Sequence, residues 1–504
     1  MTQHDIGAVA DLEENRPLKV MAGDTAILVI RRGDAVTALA HACPHFGLPL
    51  SKGHLDGDRL ICAFHHACFD VASGRQTQPP GHGDLRRYAV ELRDGHAFVE
   101  VPKDADPHPA PAHVRRGDEP RRMAIAGSGA AADACALGLR EEGFEGTIEM
   151  ISPEGQPPYD RTLLSKAVLA SGELPRHLTL TGPEALAARD IDLVEGRVAA
   201  IDAAAREIRT EAGATHGYDA LLIATGGSAN RLDLPGADLD GLHYLRSRAQ
   251  AEALARAAGE AGRAVLVGGG FIGMEAALSL AKRGLEVTVA LREEVPLAKI
   301  IGEEIGRAIM AEHEAKGVRF VTGARVAGFE GEGRVSAVTL EDGGRIETDL
   351  ALLAIGVRPA TAIEGLSPEE DGGLRTGADL SVEGLEGVFA AGDVARVPGP
   401  WGPVRIEHWR VARQHGARAA RAMLGKPPGD VDVPFFWTAL GRQYRYLGHA
   451  EGWDEIRMDG AAGEDFVARF VKDGRVMALM GAGRDAEIAR AHAEMIHAGG
   501  PLPA

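Results

Sequence analysis

Cys43-Pro44-His45 and, after sixteen intervening residues, Cys62-Ala63-Phe64-His65-His66-Ala67-Cys68-Phe69 form the stretch from which the rest of the chain is read. Each short loop offers one thiolate and one imidazole. Two Cys on one iron and two His on another is the donor set of a [2Fe–2S] cluster with mixed ligation. The plainer readings are a zinc ion and scattered core residues. A zinc finger of the two-Cys, two-His kind pairs Cys with Cys and His with His, whereas each loop here contributes one of each. Replacing two thiolates by neutral imidazoles removes negative charge, so such a cluster accepts an electron more readily than a four-Cys one.

The stretch resembles the ligand loops of Rieske-type ferredoxins, and the resemblance extends over residues 1–103. It implies Cys43, His45, Cys62 and His65 as the metal ligands. That family has Gly where this chain has His66, and a residue with a Cβ at a left-handed position carries a backbone cost. His66 therefore either distorts the loop or offers a rival nitrogen, and the spacing favours His65 as the ligand. High-potential members brace their loops with a disulfide and donate Ser and Tyr hydroxyls to the cluster sulfurs. Leu48, Ala67 and Phe69 stand at those positions, which implies a low-potential carrier. Cys68 reads as a small buried side chain.

With 504 residues, 25% charged and 45% apolar, the chain predicts a soluble protein of several domains. Four cysteines are too few for a secreted disulfide scaffold. The N-terminus lacks a basic start and apolar run, and no stretch approaches a membrane span. These features lead us to expect a cytoplasmic location and no membrane partner. A net charge of −18 argues against nucleic acid.

Residues 1–103 alternate short apolar runs with Gly and Asp turns, as an all-β domain does. Residues 104–120, with four prolines and no periodicity, read as a linker. An internal repeat follows. Arg122–Ala126 leads into Gly127-Ser128-Gly129 and Ala132, then a helix and the strand Thr147–Ser152. Ala264–Val267 leads into Gly268, Gly270 and Gly273, then a helix and the strand Val287–Leu291. A tight glycine turn between strand and helix lets a pyrophosphate approach the helix N-terminus. One such turn is weak; two in the same setting predict two dinucleotide sites.

From residue 121 onward the chain resembles ferredoxin reductases of oxygenase systems and apoptosis-inducing-factor-like flavoproteins. Pro158-Tyr159-Asp160-Arg161, with Ser165-Lys166, matches their flavin signature, and Leu221–Gly227 with Thr225 and Gly226 matches the exit from their first domain. Gly392-Asp393 matches their late flavin motif, with the Asp on the ribityl chain. The resemblance implies Lys166 near the flavin ring and Glu275 paired with it. It also implies Glu407 and Trp409 beside flavin and nicotinamide, with Trp437 as a further aromatic at the ring. For the FAD ribose, Glu154 is favoured over Glu149, which lies inside the strand. Where NADH-preferring relatives carry Glu, this chain has Leu291 followed by Arg292. Arg292 could pair with a 2′-phosphate and favours NADPH, while Glu293 and Glu294 leave NADH open.

The expected architecture is therefore multidomain. An all-β Rieske domain precedes an α/β flavoprotein with nested Rossmann-like FAD and NAD(P)H domains, and a small α+β domain closes the chain. The expected boundaries are 121–242 and 363–430 for FAD, 243–362 for NAD(P)H and 431–504 for the C-terminal domain. The function implied is an NAD(P)H-dependent FAD oxidoreductase that feeds a [2Fe–2S] cluster and then a one-electron acceptor. His45 and His65 are expected to offer an exposed edge to that acceptor. A homodimer is compatible with the resemblance. The alternatives are a redox-sensing or signalling flavoprotein without sustained turnover and an oxygen-reducing oxidase. Glutathione-reductase-like enzymes use a Cys pair at the flavin, and Cys135 stands alone in its helix.

Overall fold

The apolar runs on either side of Gly33 become the strands Thr25–Arg32 and Ala35–Ala40, paired antiparallel with Val29 opposite Ala38. In the computed structural model, which describes residues 2–104 and 106–504, both lie in a six-stranded antiparallel sheet with the order Thr2–Ala8, His96–Val101, Arg87–Arg93, Ala35–Ala40, Thr25–Arg32, Leu18–Ala22. A four-stranded sheet, His54–Asp56 to Gln76–Gln78, packs beside it. Leu28, Ile30 and Leu39 from the first sheet meet Leu50, Leu60 and Phe69 from the second segment in one core that includes Cys43 and Cys62. The ligand loops are thus held from beneath by close-packed apolar side chains, which restricts their movement.

The proline-rich segment is extended and tied at both ends. The Arg86 and Asp84 amides donate to the carbonyls of Pro107 and Pro109, and the Val114 and Gly117 amides donate to those of Arg140 and Glu145. Pro supplies acceptors without donors, so the segment lies along its neighbours as a strap.

The repeat folds twice into the same parallel arrangement. Arg122–Ala126 lies between Thr147–Ser152 and Ala220–Ile223. Arg263–Val267 lies between Glu286–Ala290 and Leu350–Leu353. Their strands are buried on both faces and nearly continuously apolar, as parallel strands must be. The first sheet is completed by Val388–Ala390, which pairs with Ala220–Ile223. Since that strand follows the whole second unit in sequence, the second unit is an insertion within the first.

The last layer is an antiparallel sheet beginning with the hairpin Phe435–Leu440 and Arg442–Gly448. The helix Asp485–His497 packs on it, and Ala489 and Ala493 of that helix meet Ile61, Ala63 and Cys68. The N-terminal domain is therefore docked on the C-terminal one. Arg410, 1% exposed, fastens the junction by donating to the carbonyls of His66, Pro79 and Val433 and to Asp432. Among the described residues no helix is long and apolar enough to cross a membrane.

Candidate redox centres

Each ligand loop is a tight turn closed by its own backbone. The Gly47 amide donates to Cys43 O and the Cys43 amide to Leu48 O; the second loop repeats this with His66 to Cys62 and Cys62 to Ala67. The turns bring the two thiols within hydrogen-bonding reach of each other, which holds Cys43 above its ordinary pKa and Cys62 below it. They set the rings of His45 and His65 edge to face, with centroids 4.6 Å apart. Burial, then the neighbouring His65, pushes His45 down to about 2, and burial followed by Arg445 pushes His65 down to about 3. Both imidazoles are thus neutral, the form that binds metal.

His45 Nδ1 is buried without a hydrogen-bond partner among the described residues, which is what a ligand nitrogen looks like when nothing else claims it. The two thiols lie beside each other, and so do the two imidazole rings. A zinc ion asks for four donors at one point, whereas a two-iron cluster asks two of each iron. The paired layout fits the cluster.

His66 adopts φ +56°, the left-handed conformation a Gly would take cheaply. Its ring turns away from the ligands and stacks on Phe435, so it offers no rival nitrogen to the cluster. His65 is only 7% exposed, and the two ligand rings face Trp437, at 5.4 Å from His45 and 4.7 Å from His65. Of the anticipated open histidine edge, His65 is covered by the chain's own C-terminal sheet, while His45 is half-buried.

Trp437 also lines a cavity of about 880 Å³ between the two nucleotide-binding units. Gly127 and Gly129 form one end. Gly127 adopts φ +126°, and a Cβ there would strike the Ala224 carbonyl, while a Cβ on Gly129 would meet nothing within 4 Å, which leaves the turn open to a phosphate. Gly268 repeats the close approach against Ala354 at φ +107°. Ala132 is fully buried in the helix Ala130–Glu141, behind the turn.

Glu154 lies on the cavity wall just past the strand Thr147–Ser152. It accepts from Tyr159 Oη at 2.6 Å and from Arg161 at 2.5 Å. Glu149 points elsewhere, 3.7 Å from His216. Thr225 and Gly226 line the middle, and Thr225 Oγ1 donates to Ala360 O at 2.8 Å. Gly392 and Asp393 lie opposite, with Asp393 held at 2.5 Å by Arg246, a residue no motif marked.

At the far end Lys166 Nζ is 3.1 Å from Glu275, which is 8% exposed. Glu275 also accepts from Ser165 at 2.6 Å and from Thr438 at 2.7 Å. Three donors from two segments fix this carboxylate. Thr438, beside Trp437, is invisible to motif reading because it acts only once the C-terminal sheet has docked. Glu407 and Trp409 complete this end, Glu407 receiving Arg405 at 2.6 Å.

Gly268, Gly270, Gly273 and Arg292 lie outside this cavity, on the second unit; Phe271 and Ile272, at the start of its helix, reach the cavity wall. Arg292 is exposed, while Glu293 pairs with Lys299 at 2.9 Å and Glu294 accepts from Thr322 at 3.2 Å. A second cavity, about 860 Å³, holds none of these residues; its lining includes the ion pair of Arg413 with Asp133. All four cysteines are buried, and none lines the 880 Å³ cavity.

The family model described as pyridine nucleotide-disulphide oxidoreductase matches residues 121–416, and that of the Rieske [2Fe-2S] domain matches residues 2–89. Apoptosis-inducing factor 3 of Mus musculus is 32% identical over 493 residues, covering 94% of this chain and 80% of that protein. The ferredoxin–NAD(+) reductase component of the biphenyl dioxygenase system of Paraburkholderia xenovorans is 37% identical over 366 residues, covering 71% of this chain and 88% of that one. Among solved structures, a ferredoxin reductase from Rhodopseudomonas palustris matches with a TM-score of 0.70 at 28% identity, over 76% of this chain and 96% of that chain.

Proposed function

The chain belongs to the pyridine nucleotide-disulphide oxidoreductase family and carries a Rieske [2Fe–2S] domain ahead of it, and from that footing we propose that it passes electrons from NAD(P)H through FAD to its own cluster and on to a one-electron acceptor. As an NAD(P)H-dependent flavoprotein oxidoreductase it needs two centres within electron-transfer reach. The observation that carries the proposal is Trp437, which touches both ligand histidines and lines the FAD cavity. One side chain thus spans the two sites, so transfer within one chain needs no second molecule.

FAD and the cluster, when bound, supply the hydride and single-electron chemistry that side chains lack. The residues do the rest. Gly127 and Gly129 admit the pyrophosphate to the helix N-terminus. Glu154, already oriented by Tyr159 and Arg161, presents its carboxylate to the ribose hydroxyls. Lys166, anchored by Glu275, holds positive charge at the cavity wall where negative charge develops on hydride arrival. Arg292, exposed and without a hydrogen-bond or ion-pair partner among the described residues, beside two carboxylates that have partners, supports NADPH as donor. Cys43, His45, Cys62 and His65 would hold the irons. With no cysteine at the flavin cavity, thiol exchange has no nucleophile there.

The biphenyl relative is named as one component of a dioxygenase system, which supports a protein acceptor downstream. The test is anaerobic mixing of the holoprotein with NADPH or NADH, with flavin followed by absorbance and the cluster by EPR. A first-order cluster-reduction rate that does not change with protein dilution is expected. A rate proportional to protein concentration would overturn transfer within the chain. A long-lived reduced flavin–nicotinamide complex with the cluster still oxidised would favour the signalling reading.

A further inference from the structure

Arg445 lies directly opposite Trp437 in the antiparallel hairpin Phe435–Leu440 and Arg442–Gly448. Directly opposed residues in such a pair project from the same face of the sheet. Since Trp437 meets the rings of His45 and His65 on that face, Arg445 is turned toward the ligand loops as well, and it lines a cleft together with His65.

This guanidinium is buried, with a side chain 4% exposed, yet it is poorly neutralised. Its nearest carboxylate, Asp485, is 3.5 Å away. Its two acceptors, Gln443 Oε1 and Tyr444 O, are at 3.4 Å, and its Nε, the atom that faces Asp485, makes no hydrogen bond among the described residues. Arg410, which donates to the same loop at His66 O, shows what full compensation looks like: three carbonyls and Asp432 at 2.8 Å. A buried cation left short of partners costs stability, so its effect on the neighbouring centre is the quantity to consider.

Two ferric ions, two sulfides, two thiolates and two neutral imidazoles sum to zero charge. One added electron leaves the reduced cluster one charge more negative. A fixed buried cation attracts the reduced form and is indifferent to the neutral oxidised one, so it favours reduction. We infer that Arg445 is a tuning residue by which the C-terminal domain raises the reduction potential of the cluster, offsetting the hydroxyl donors missing at Ala67 and Phe69. The inference rests on the cluster reading above. It also makes the potential depend on docking of the two domains, since the isolated N-terminal domain lacks this charge.

The experiment is a redox titration of the holoprotein near pH 8, read by the EPR signal of the reduced cluster, with iron content measured on every sample. Arg445→Gln is expected to lower the ratio of reduced to oxidised cluster about tenfold at the wild-type midpoint, about 59 mV for one electron. Arg445→Lys should recover most of that shift. Asp485→Asn, which removes the partial counter-charge, should move the midpoint the other way. An unchanged midpoint in Arg445→Gln with full iron would overturn the inference. If that variant fails to assemble, an unchanged or lowered midpoint in Asp485→Asn overturns it equally. Wild-type protein without iron would instead overturn the cluster reading itself.

Discussion

His66 lies flat on Phe435, with ring centroids 3.7 Å apart and planes 14° from parallel. Its Nδ1 is 2.8 Å from His492 Nδ1, and His492 Nε2 is 2.7 Å from Asp432. Asp432 is an acceptor, so His492 carries its proton on Nε2 and accepts at Nδ1 from His66. The residue that departs from the family's Gly is thus one of the N-terminal domain's holds on the C-terminal one, beside Arg410. Restoring Gly relieves about 1–2 kcal/mol of left-handed backbone cost but removes a buried aromatic-sized ring, worth about 3–5 kcal/mol. His66→Gly should lose about 2 kcal/mol net, seen as a lower urea midpoint for loss of cluster absorbance. A higher midpoint would mean that the ring contributes nothing to docking.

Lys166→Met should slow hydride transfer to the flavin about tenfold or more while changing nicotinamide affinity little, since the charge acts where negative charge develops. Glu275→Gln should also slow it, because Lys166, Ser165 and Thr438 lose the carboxylate that positions them. Stopped-flow single turnovers separate the rate from the binding constant. Unchanged rates would leave Lys166 as a structural charge.

His415 accepts from the Gly392 amide at 3.4 Å, behind the flavin motif, and burial followed by Arg418 pushes it down to about 3. An unfolded His binds its proton near about 6.5. Between these values the unfolded state carries the extra proton, so stability is fully present above about pH 6.5 and falls as pH drops toward about 3. His415→Gln keeps an acceptor but cannot titrate. Its stability against pH should be shallower in that window by about 1.4 kcal/mol per pH unit, measured by denaturant unfolding with flavin release. Identical slopes would show that His415 is not a titrating group there.

What the sequence discloses follows from how local each constraint is. Metal ligation fixes residue type and spacing within one turn, so Cys43, His45, Cys62 and His65 stand out. The turns at Gly127 and Gly268 stand out because each has a backbone carbonyl where a Cβ would go, twice in the same strand–turn–helix setting. Thr438, Arg246 and Arg445 obey no spacing rule, and Trp437 is reached only through the family resemblance, which places it at the flavin and not at the histidines. Their roles exist only once distant segments pack, Trp437 against His65 and Thr438 against Glu275. For the same reason the covering of the histidine edge is illegible: nothing near residue 65 announces that a sheet beginning at Phe435 will lie over it.

In the reading proposed above, the choice of donor turns on Arg292. It follows Leu291 at the end of the second unit's second strand, exposed and free to meet a ligand, while Lys299 engages Glu293 and holds its carboxyl below the usual range. Glu293 is thereby less available as a ribose acceptor, which favours the Arg. If Arg292 pairs with the 2′-phosphate, Arg292→Glu removes a charge-assisted hydrogen bond of about 1.5–3 kcal/mol and adds a repulsion. NADPH should lose roughly 10- to 150-fold in kcat/KM by the bond alone, while NADH, lacking the phosphate, loses little. The ratio of the two is the measurement, because a fold defect lowers both together. Equal losses would remove Arg292 as the discriminator. Wild-type protein that prefers NADH would assign the ribose to Glu293 or Glu294, and Lys299→Ala, by freeing Glu293, should then strengthen that preference.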